Sequence, residues 1–344
     1  MISLREFSLT LNKPFSTSFG TIKSRTGFLV KFSQSKAGFG ESTPLHGWTE
    51  SLASCRGALL SAKKEALLGT PPEIILKSLD NVPSARHGVS LSILDDLSYS
   101  QGIPLYKYLG AKHVDYVPVN VAIGDSSITS TVNQCLTAIN SGVNSLKIKI
   151  GKRPIKEDLR RLTAVRESVG PDVELRADVN GSWSLQQAQK AIKTLEKINL
   201  AYLEQPLPMN DLEGHAILRN NSIKIALDES LISNSITKIH EMGAADYIVL
   251  KPMVLGGIDN SYTLAQEARS VNIEPVITTT IDTVVARTAA VHLAASLSPI
   301  EACGVATAGM LKTDVSDDPT TLKSGNLMVP QTPGNGVLVD WESV

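Results

Sequence analysis

The sequence predicts an α/β fold: an incomplete TIM barrel, (β/α)7β, with an N-terminal α+β capping domain that the C-terminal tail completes. Three observations carry this. Eight short β-prone runs follow residue 115 with starts 22 to 29 residues apart; the segments between them repeat apolar residues at helical spacing; and no amphipathic segment follows the last run. Strands alternating with helices give parallel strands joined by right-handed crossovers, and eight such strands close into a barrel. An open doubly wound sheet competes, but it usually carries a glycine-rich phosphate turn after an early strand. The nearest candidate, GGIDN at 256–260, has only two glycines.

Residues 1–115 make the capping domain. ISLREFSLTL and TGFLVKFS alternate like antiparallel strands, while TESLASCRGALLSAKKEALLG and SARHGVSLSILDDLSYSQG read as helices. Between the two strands, NKPFSTSFGTIKSRTG (12–27) reads as a polar loop, either a surface linker or a lid. The barrel spans 116–312. Its eight runs are YVPVNVA (116–122), SLKIKI (145–150), VELRADV (173–179), AYLEQ (201–205), IKIALDE (223–229), DYIVLKP (246–252), EPVITTT (274–280) and EACGVAT (301–307). One intervening helix opens at Ser184, with Gln187 at the capping-box position. Residues 313–344 lack a convincing helix and form the tail that returns to the capping domain.

Composition narrows the function. The 344 residues carry a formal net charge of -1, with no basic tail or charge block, so neither nucleic acid nor an anionic membrane is expected as a partner. Cys55, Cys135 and Cys303 are far apart, which indicates neither a disulfide framework nor a structural zinc site. The N-terminus has no unbroken apolar core of the signal-peptide kind, and no run of 18 apolar residues occurs. A reduced, cytoplasmic protein is the expectation, with a homo-oligomer compatible with this composition.

The chemistry gathers where the runs end. In LKIKI (146–150), Lys147 and Lys149 share one strand face, and two buried ammonium groups need an anion nearby. The next three runs end in acids: Asp178 in ADVN, Glu204 in LEQP, and Asp228 with Glu229 in LDES. The sixth ends in Lys251. Reacting groups of parallel barrels sit at these strand ends. Neighbouring strands lie about 4.8 Å apart, so inward-facing Asp178, Glu204 and Asp228 can converge, and converging carboxylates need a cation. All-oxygen ligation with no His or Cys nearby suits Mg²⁺, ahead of Mn²⁺ or Ca²⁺. A metal beside them would lower an ammonium pKa and supply a base. The open metal positions suit a small-molecule carboxylate substrate.

These motifs, K-x-K, D-x-N, E-Q-P, D-E-S and K-P in order, together with PLYKYLG (104–110) closing the capping domain, resemble the enolase superfamily and within it the muconate-lactonising subgroup. The resemblance implies that Asp178, Glu204 and Asp228 bind the metal. It makes Lys149 the proton-transferring lysine, Lys147 its electrostatic partner and Lys251 the lysine on the opposite side of the substrate. TTTID (278–282), ACGVATAGMLKTDV (302–315), GFGESTPLHGWTESLASCRGAL (38–59) and SARHGVSLSILD (84–95) are similar to segments of o-succinylbenzoate synthases. That likeness implies dehydration of 2-succinyl-6-hydroxy-2,4-cyclohexadiene-1-carboxylate through a metal-stabilised enediolate, a step of menaquinone biosynthesis. N-succinylamino acid racemase, cycloisomerase and dipeptide epimerase are the alternatives. Dipeptide epimerases usually carry Asp-x-Asp on the eighth strand, where CGVAT has no acid.

Weaker candidates surround this set. Asn180 either hydrogen-bonds near the metal or caps the next turn; Asp282 either faces the pocket or starts a helix. Glu229 is expected to point away from Asp228 and pair with a neighbour such as a lysine. Thr279 and Thr280 suit a strand in any case. Ser18, Thr21, Lys23, Arg25, His46 and Trp48 are candidates for the succinyl end of the pocket, with surface packing the commoner role. His87, His215, His240 and His292 fall in helical contexts, where a packed or solvated ring is commoner than a ligand.

Overall fold

In the computed structural model, which describes residues 1–17, 20–32 and 35–342, the chain opens with an antiparallel sheet of β1 (Ser3–Thr17), β2 (Gly20–Lys31) and β3 (Phe39–Ser42). The reading of 12–27 as a loop is corrected here. Most of it lies in the long β1–β2 ribbon, with a register shift between Thr10 and Phe15. Exposed polar side chains cover much of that ribbon and hide its strand character, while Phe15 and Ile22 pair across it.

Four helices follow: α1 (Leu52–Leu67), α2 (Pro72–Ser78), α3 (Pro83–Ser100) and α4 (Leu105–Tyr108). Phe28 and Val30 of β2 pack with Leu59 and Ala62 of α1 and Val89 and Ile93 of α3 into one apolar core. Leu29, from the opposite face of β2, joins the barrel core with Phe7. The approach of β3 to α3 depends on Gly40, where a Cβ would lie 1.9 Å from the Gly88 carbonyl oxygen.

The first barrel run divides at Pro118–Val119. β4 (Tyr116–Pro118) pairs with the tail, and β5 (Asn120–Ile123) enters the barrel. Alternating elements continue with α5 (Ile128–Asn140), β6 (Ser145–Lys149), α6 (Ile155–Val169), β7 (Glu174–Asp178), α7 (Leu185–Ile198), β8 (Tyr202–Glu204) and α8 (Leu212–Arg219). They end with β9 (Ile225–Leu227), α9 (Ile236–Glu241), β10 (Tyr247–Leu250), α10 (Ile258–Ser270), β11 (Glu274–Ile277) and α11 (Val284–Ser296). Strands β5 to β11 form one parallel sheet in sequence order. Ser184 and Gln187 form the capping box of α7. Leu146, Ile148, Leu175, Ala177, Leu203, Ile225, Leu227, Ile248 and Leu250 face the helices in the main core. The opposite face holds the small inner cluster of Tyr202, Ala226, Tyr247, Val249 and Val276.

The eighth run departs from expectation, since residues 301–307 form no regular strand. Two isolated parallel bridges, Val119↔Cys303 and Thr278↔Gly304, carry the wall from β11 round to β5. The tail adds β12 (Leu322–Lys323) and β13 (Asn326–Met328), which join β4 in a small antiparallel sheet. Further on, Trp341 packs near Phe39 at 6.1 Å between ring centroids. No helix among the described residues is long and apolar enough to cross a membrane.

Candidate active site

The parallel register sets the site. Lys149 of β6 pairs with Asp178 of β7, and Asp178 pairs with Glu204 of β8. Because side chains alternate, residues two apart share a face, so Lys147 and Lys149, Arg176 and Asp178, and Tyr202 and Glu204 all point into the barrel. Asp228 follows β9 and Lys251 follows β10, and both line the same pocket. All six residues expected at the site therefore surround one cavity of about 220 Å³.

Within it the charges pair tightly. The Lys147 ammonium donates to Glu204 Oε1 at 2.5 Å and lies 3.3 Å from Asp178 Oδ2. Lys251 Nζ donates to Asp228 Oδ2. The capping domain adds a ring to each outer lysine: Phe15 faces Lys149 with its centroid 5.0 Å from Nζ, and Trp48 faces Lys251 at 3.8 Å.

Burial and charge then set the proton affinities. Burial pulls the Lys149 ammonium below its ordinary range; Asp178 opposes this, while Lys147 and Lys251 add repulsion. Burial would also lower Lys147, but Asp178 and Glu204 outweigh it and hold that amine firmly protonated. For Asp178, burial works upward and is overcome by Lys147, Lys149 and Lys251, leaving the carboxyl below its usual range. Glu204 is pushed up to about 7, by burial first and then against the pull of Lys147 by the charges of Asp178 and Asp228.

Does this donor set fit a metal ion? Among the described residues no three His, Cys, Asp or Glu stand as a ready-made cage, and lysine ammonium groups hold Glu204 Oε1 and Asp228 Oδ2. The chemistry nonetheless fits a hard divalent cation. Every candidate donor is a carboxylate oxygen, Asp178, Glu204 and Asp228 are all buried, and Glu204 Oε2 has no hydrogen-bond partner. An orphaned buried carboxylate oxygen beside two further carboxylates is what such an ion would satisfy.

The surrounding residues sort clearly. Asn180 lies beside the carboxylates and does not cap the following turn with its side chain: its backbone N–H donates to Asp178 Oδ1 at 3.0 Å, and its side-chain amide donates to Glu229 Oε1 at 3.1 Å. Glu229 thus pairs with a neighbouring group, the Asn180 amide, and its Oε2 is unpartnered. Asp282 does not start a helix; Thr283 caps α11, and Asp282 accepts from the Thr280 N–H and hydroxyl. Thr279 and Thr280 line the pocket, as does Trp48. Arg25 does not: it is buried and donates to the carbonyls of Thr43, Pro44 and Ile281. Thr21, Lys23 and His46 are not among the lining residues, and Ser18 lies outside the described residues. His87 donates from Nδ1 to the Glu41 carbonyl, His215 and His292 are packed, and His240 is exposed.

Sequence reasoning missed Gln205. Its Oε1 accepts from the N–H groups of Asp228 and Ser230 at 2.9 and 3.2 Å, so it fixes the backbone that presents Asp228. Its adjacency to Glu204 in E-Q-P was the available signal. Phe15, Ile22 and Asn120 also line the pocket without having been singled out.

A parallel barrel with ionisable groups at successive strand ends, under a lid of aromatic residues, defines an enzyme of the barrel class. Residues 130–343 match the enolase C-terminal domain-like family, and the chain belongs to that family, within the enolase superfamily. Its relatives are of the muconate-lactonising kind. The N-succinylamino acid racemase of Thermus thermophilus is 31% identical over 97% of this chain and 93% of its own. The o-succinylbenzoate synthase of Thermobifida fusca is 36% identical over 62% of this chain and 67% of its own. The dipeptide epimerase of Enterococcus faecalis, solved with Mg and the dipeptide L-Leu-L-Tyr, superposes with a TM-score of 0.87 at 26% identity, covering 98% of each chain.

Proposed function

We propose that this enzyme is an o-succinylbenzoate synthase, dehydrating 2-succinyl-6-hydroxy-2,4-cyclohexadiene-1-carboxylate to o-succinylbenzoate. One observation carries the reading. The pocket wall beyond β10, from β11 round to the eighth run, is made of Thr278, Thr279, Thr280, Gly304, Ala306 and Thr307, with no acid to hold a substrate ammonium. Phe15, Ile22, Leu45 and Trp48 close the other side with apolar surface, which suits a carbocycle. The Thermobifida fusca relative named o-succinylbenzoate synthase supports the same choice.

Asp178, Glu204 and Asp228 would hold Mg²⁺, with Mn²⁺ as a substitute. When bound, the ion would stabilise the negative charge that develops on the substrate carboxylate as its α-proton leaves. Lys149 takes that proton, its amine being poised as a base by burial beside two other lysines. The resulting Lys149 ammonium then returns the proton to the departing hydroxyl on the same face. One lysine serves both steps, and gaining an aromatic ring drives the second. Lys147 bridges Asp178 and Glu204 and remains a fixed cation. Lys251 faces the pocket from the other side and contributes charge.

N-succinylamino acid racemisation is the second reading, favoured by the placement of Lys149, on β6, and Lys251, just after β10, about one cavity. The two are separated by following ultraviolet absorbance as the cyclohexadiene acid aromatises, beside polarimetry on a panel of N-succinylamino acids. Dehydration is expected to exceed any racemisation at least tenfold in kcat/KM, about 1.4 kcal/mol. Racemisation without dehydration would reverse the assignment.

A further inference from the structure

We propose that Arg161, with Asp158 and Asp125, is a positioning clamp for Lys149. The inference rests on the proposed role of Lys149 as the base, and adds to it the residues that hold the base still. Lys149 lies one residue past Ile123↔Ile148, the last pair between β5 and β6. Its carbonyl accepts instead from Arg161 Nη2, which reaches back from α6. The same guanidinium nitrogen donates to Asp158 Oδ1 at 3.1 Å, one helical turn earlier. The other terminal nitrogen donates to Asp125 Oδ1 at 2.6 Å and the Ser126 carbonyl at 3.1 Å, both in the segment after β5.

Asp158 completes the grip. Its Oδ2 accepts from the N–H of Gly151 at 2.7 Å, two residues beyond Lys149. Gly151 itself turns with φ +96°, and a Cβ there would meet Ser182 Oγ at 2.2 Å and the Val179 carbonyl oxygen at 2.9 Å. The main chain from 149 to 151 is therefore bonded on the α6 side and packed on the 179–182 side. Asp158 is 0% and Arg161 1% exposed, so water does not compete for these bonds. Only a planar, forked cation reaches two carbonyls and two carboxylates together, and a lysine ammonium at this place would have to choose among them. The clamp also ties the segments after β5 and β6 to one another, so the base and the adjoining pocket wall keep a common frame.

The test uses the full-length enzyme with Mg²⁺ and the variants R161K, R161M and D125N. Steady-state dehydration kinetics are measured beside amide hydrogen exchange of the 147–152 segment. Slight misplacement of a base costs turnover more than binding. R161M is expected to lower kcat roughly 10- to 100-fold with KM within about twofold. R161K is expected to recover part of that loss, and D125N to fall between R161K and the unaltered enzyme. The amides of Ile150 and Gly151 exchange faster in the same order. If R161M does not fold, R161K and D125N carry the comparison, since Asp125 is 26% exposed and tolerates the amide. Unchanged kcat per folded enzyme, or kcat and KM moving together, overturns the clamp, as does unaltered exchange at 150–151. Should the unaltered enzyme fail to dehydrate the substrate, the proposed function falls, while amide exchange still judges the clamp.

Discussion

Lys149 and Lys251 carry the same amine in unlike surroundings. Lys251 is ion-paired with Asp228 and lies on the Trp48 ring, whereas burial beside Phe15 holds the Lys149 ammonium below its ordinary range. Lys149→Ala is accordingly expected to cost about 10²- to 10⁴-fold in kcat, the usual loss of a general base, and to abolish α-proton exchange with D₂O. Lys251→Ala should impair dehydration less and leave exchange from one face; two-sided exchange of comparable rate in the unaltered enzyme would show a second base. The acids make a separate prediction. A divalent ion that binds only the folded chain raises its stability by about 2.7 kcal/mol at a hundred times Kd. Melting followed over a Mg²⁺ titration should rise accordingly, and Glu204→Gln should flatten the curve. These ionisable residues were legible because each stands where a short apolar run stops, and strand alternation puts them on one face. Of the aromatic partners, Trp48 was a sequence candidate for the pocket but its place on Lys251 was not legible, and Phe15 was not singled out, because both come from the capping domain and nothing in local spacing aims them at a barrel lysine.

At the scale of elements, the eighth barrel strand shows how a wall can close without a regular ladder. Its two bridges leave little backbone pairing, and side chains from across the barrel supply the rest. Arg176, on β7, is buried and donates to the Ala302 carbonyl at 2.6 Å, while Asn120 donates to the same oxygen at 2.9 Å. Arg176 also pairs with Glu174 at 2.6 Å and lies 4.7 Å from the centroid of the Tyr202 ring. It acts as a strut from the strand of Asp178 to the wall of Gly304 and Ala306. Arg176→Met is expected to destabilise the fold by about 3 kcal/mol, the lower end for breaking a buried pair because Glu174 keeps some access to water. Urea unfolding measures this, and a loss under 1 kcal/mol would mean that the bridges alone suffice. The spacing of EACGVAT located this wall, but periodicity carries no information about a hydrogen bond spanning the barrel. The β1–β2 ribbon was obscured for the opposite reason: its polar residues at 12–27 match loop composition, and only the pairing of the two strands separates a ribbon from a loop.

The whole molecule is joined by its tail, and that junction has an intrinsic pH response. Asn335 is buried and is held by two titratable groups at once. His292 Nε2 donates to its carbonyl at 3.1 Å, and Asp95 Oδ1 accepts from its N–H at 2.6 Å. The His292 ring stacks on Tyr106 at 5.8 Å, and burial lowers its pKa to about 4. The unfolded chain, with an ordinary histidine near 6.5, takes up the proton first as pH falls. Stability from the neutral ring is therefore complete above about 6.5 and drains away toward 4, by about 2 kcal/mol at pH 5. Asp95 runs the other way. Burial raises it to about 6 against three backbone donors, so protonation below that value favours the folded state and masks the histidine in a simple melting curve. A comparison removes the mask, because His292→Gln retains Asp95 and loses only the titrating ring. The unfolding free energy of the unaltered chain minus that of His292→Gln should narrow by about 2 kcal/mol between pH 7.5 and pH 5. A constant difference across that interval would mean that the ring is protonated as readily inside the fold as outside it, and that burial against Tyr106 and Asn335 does not govern its charge.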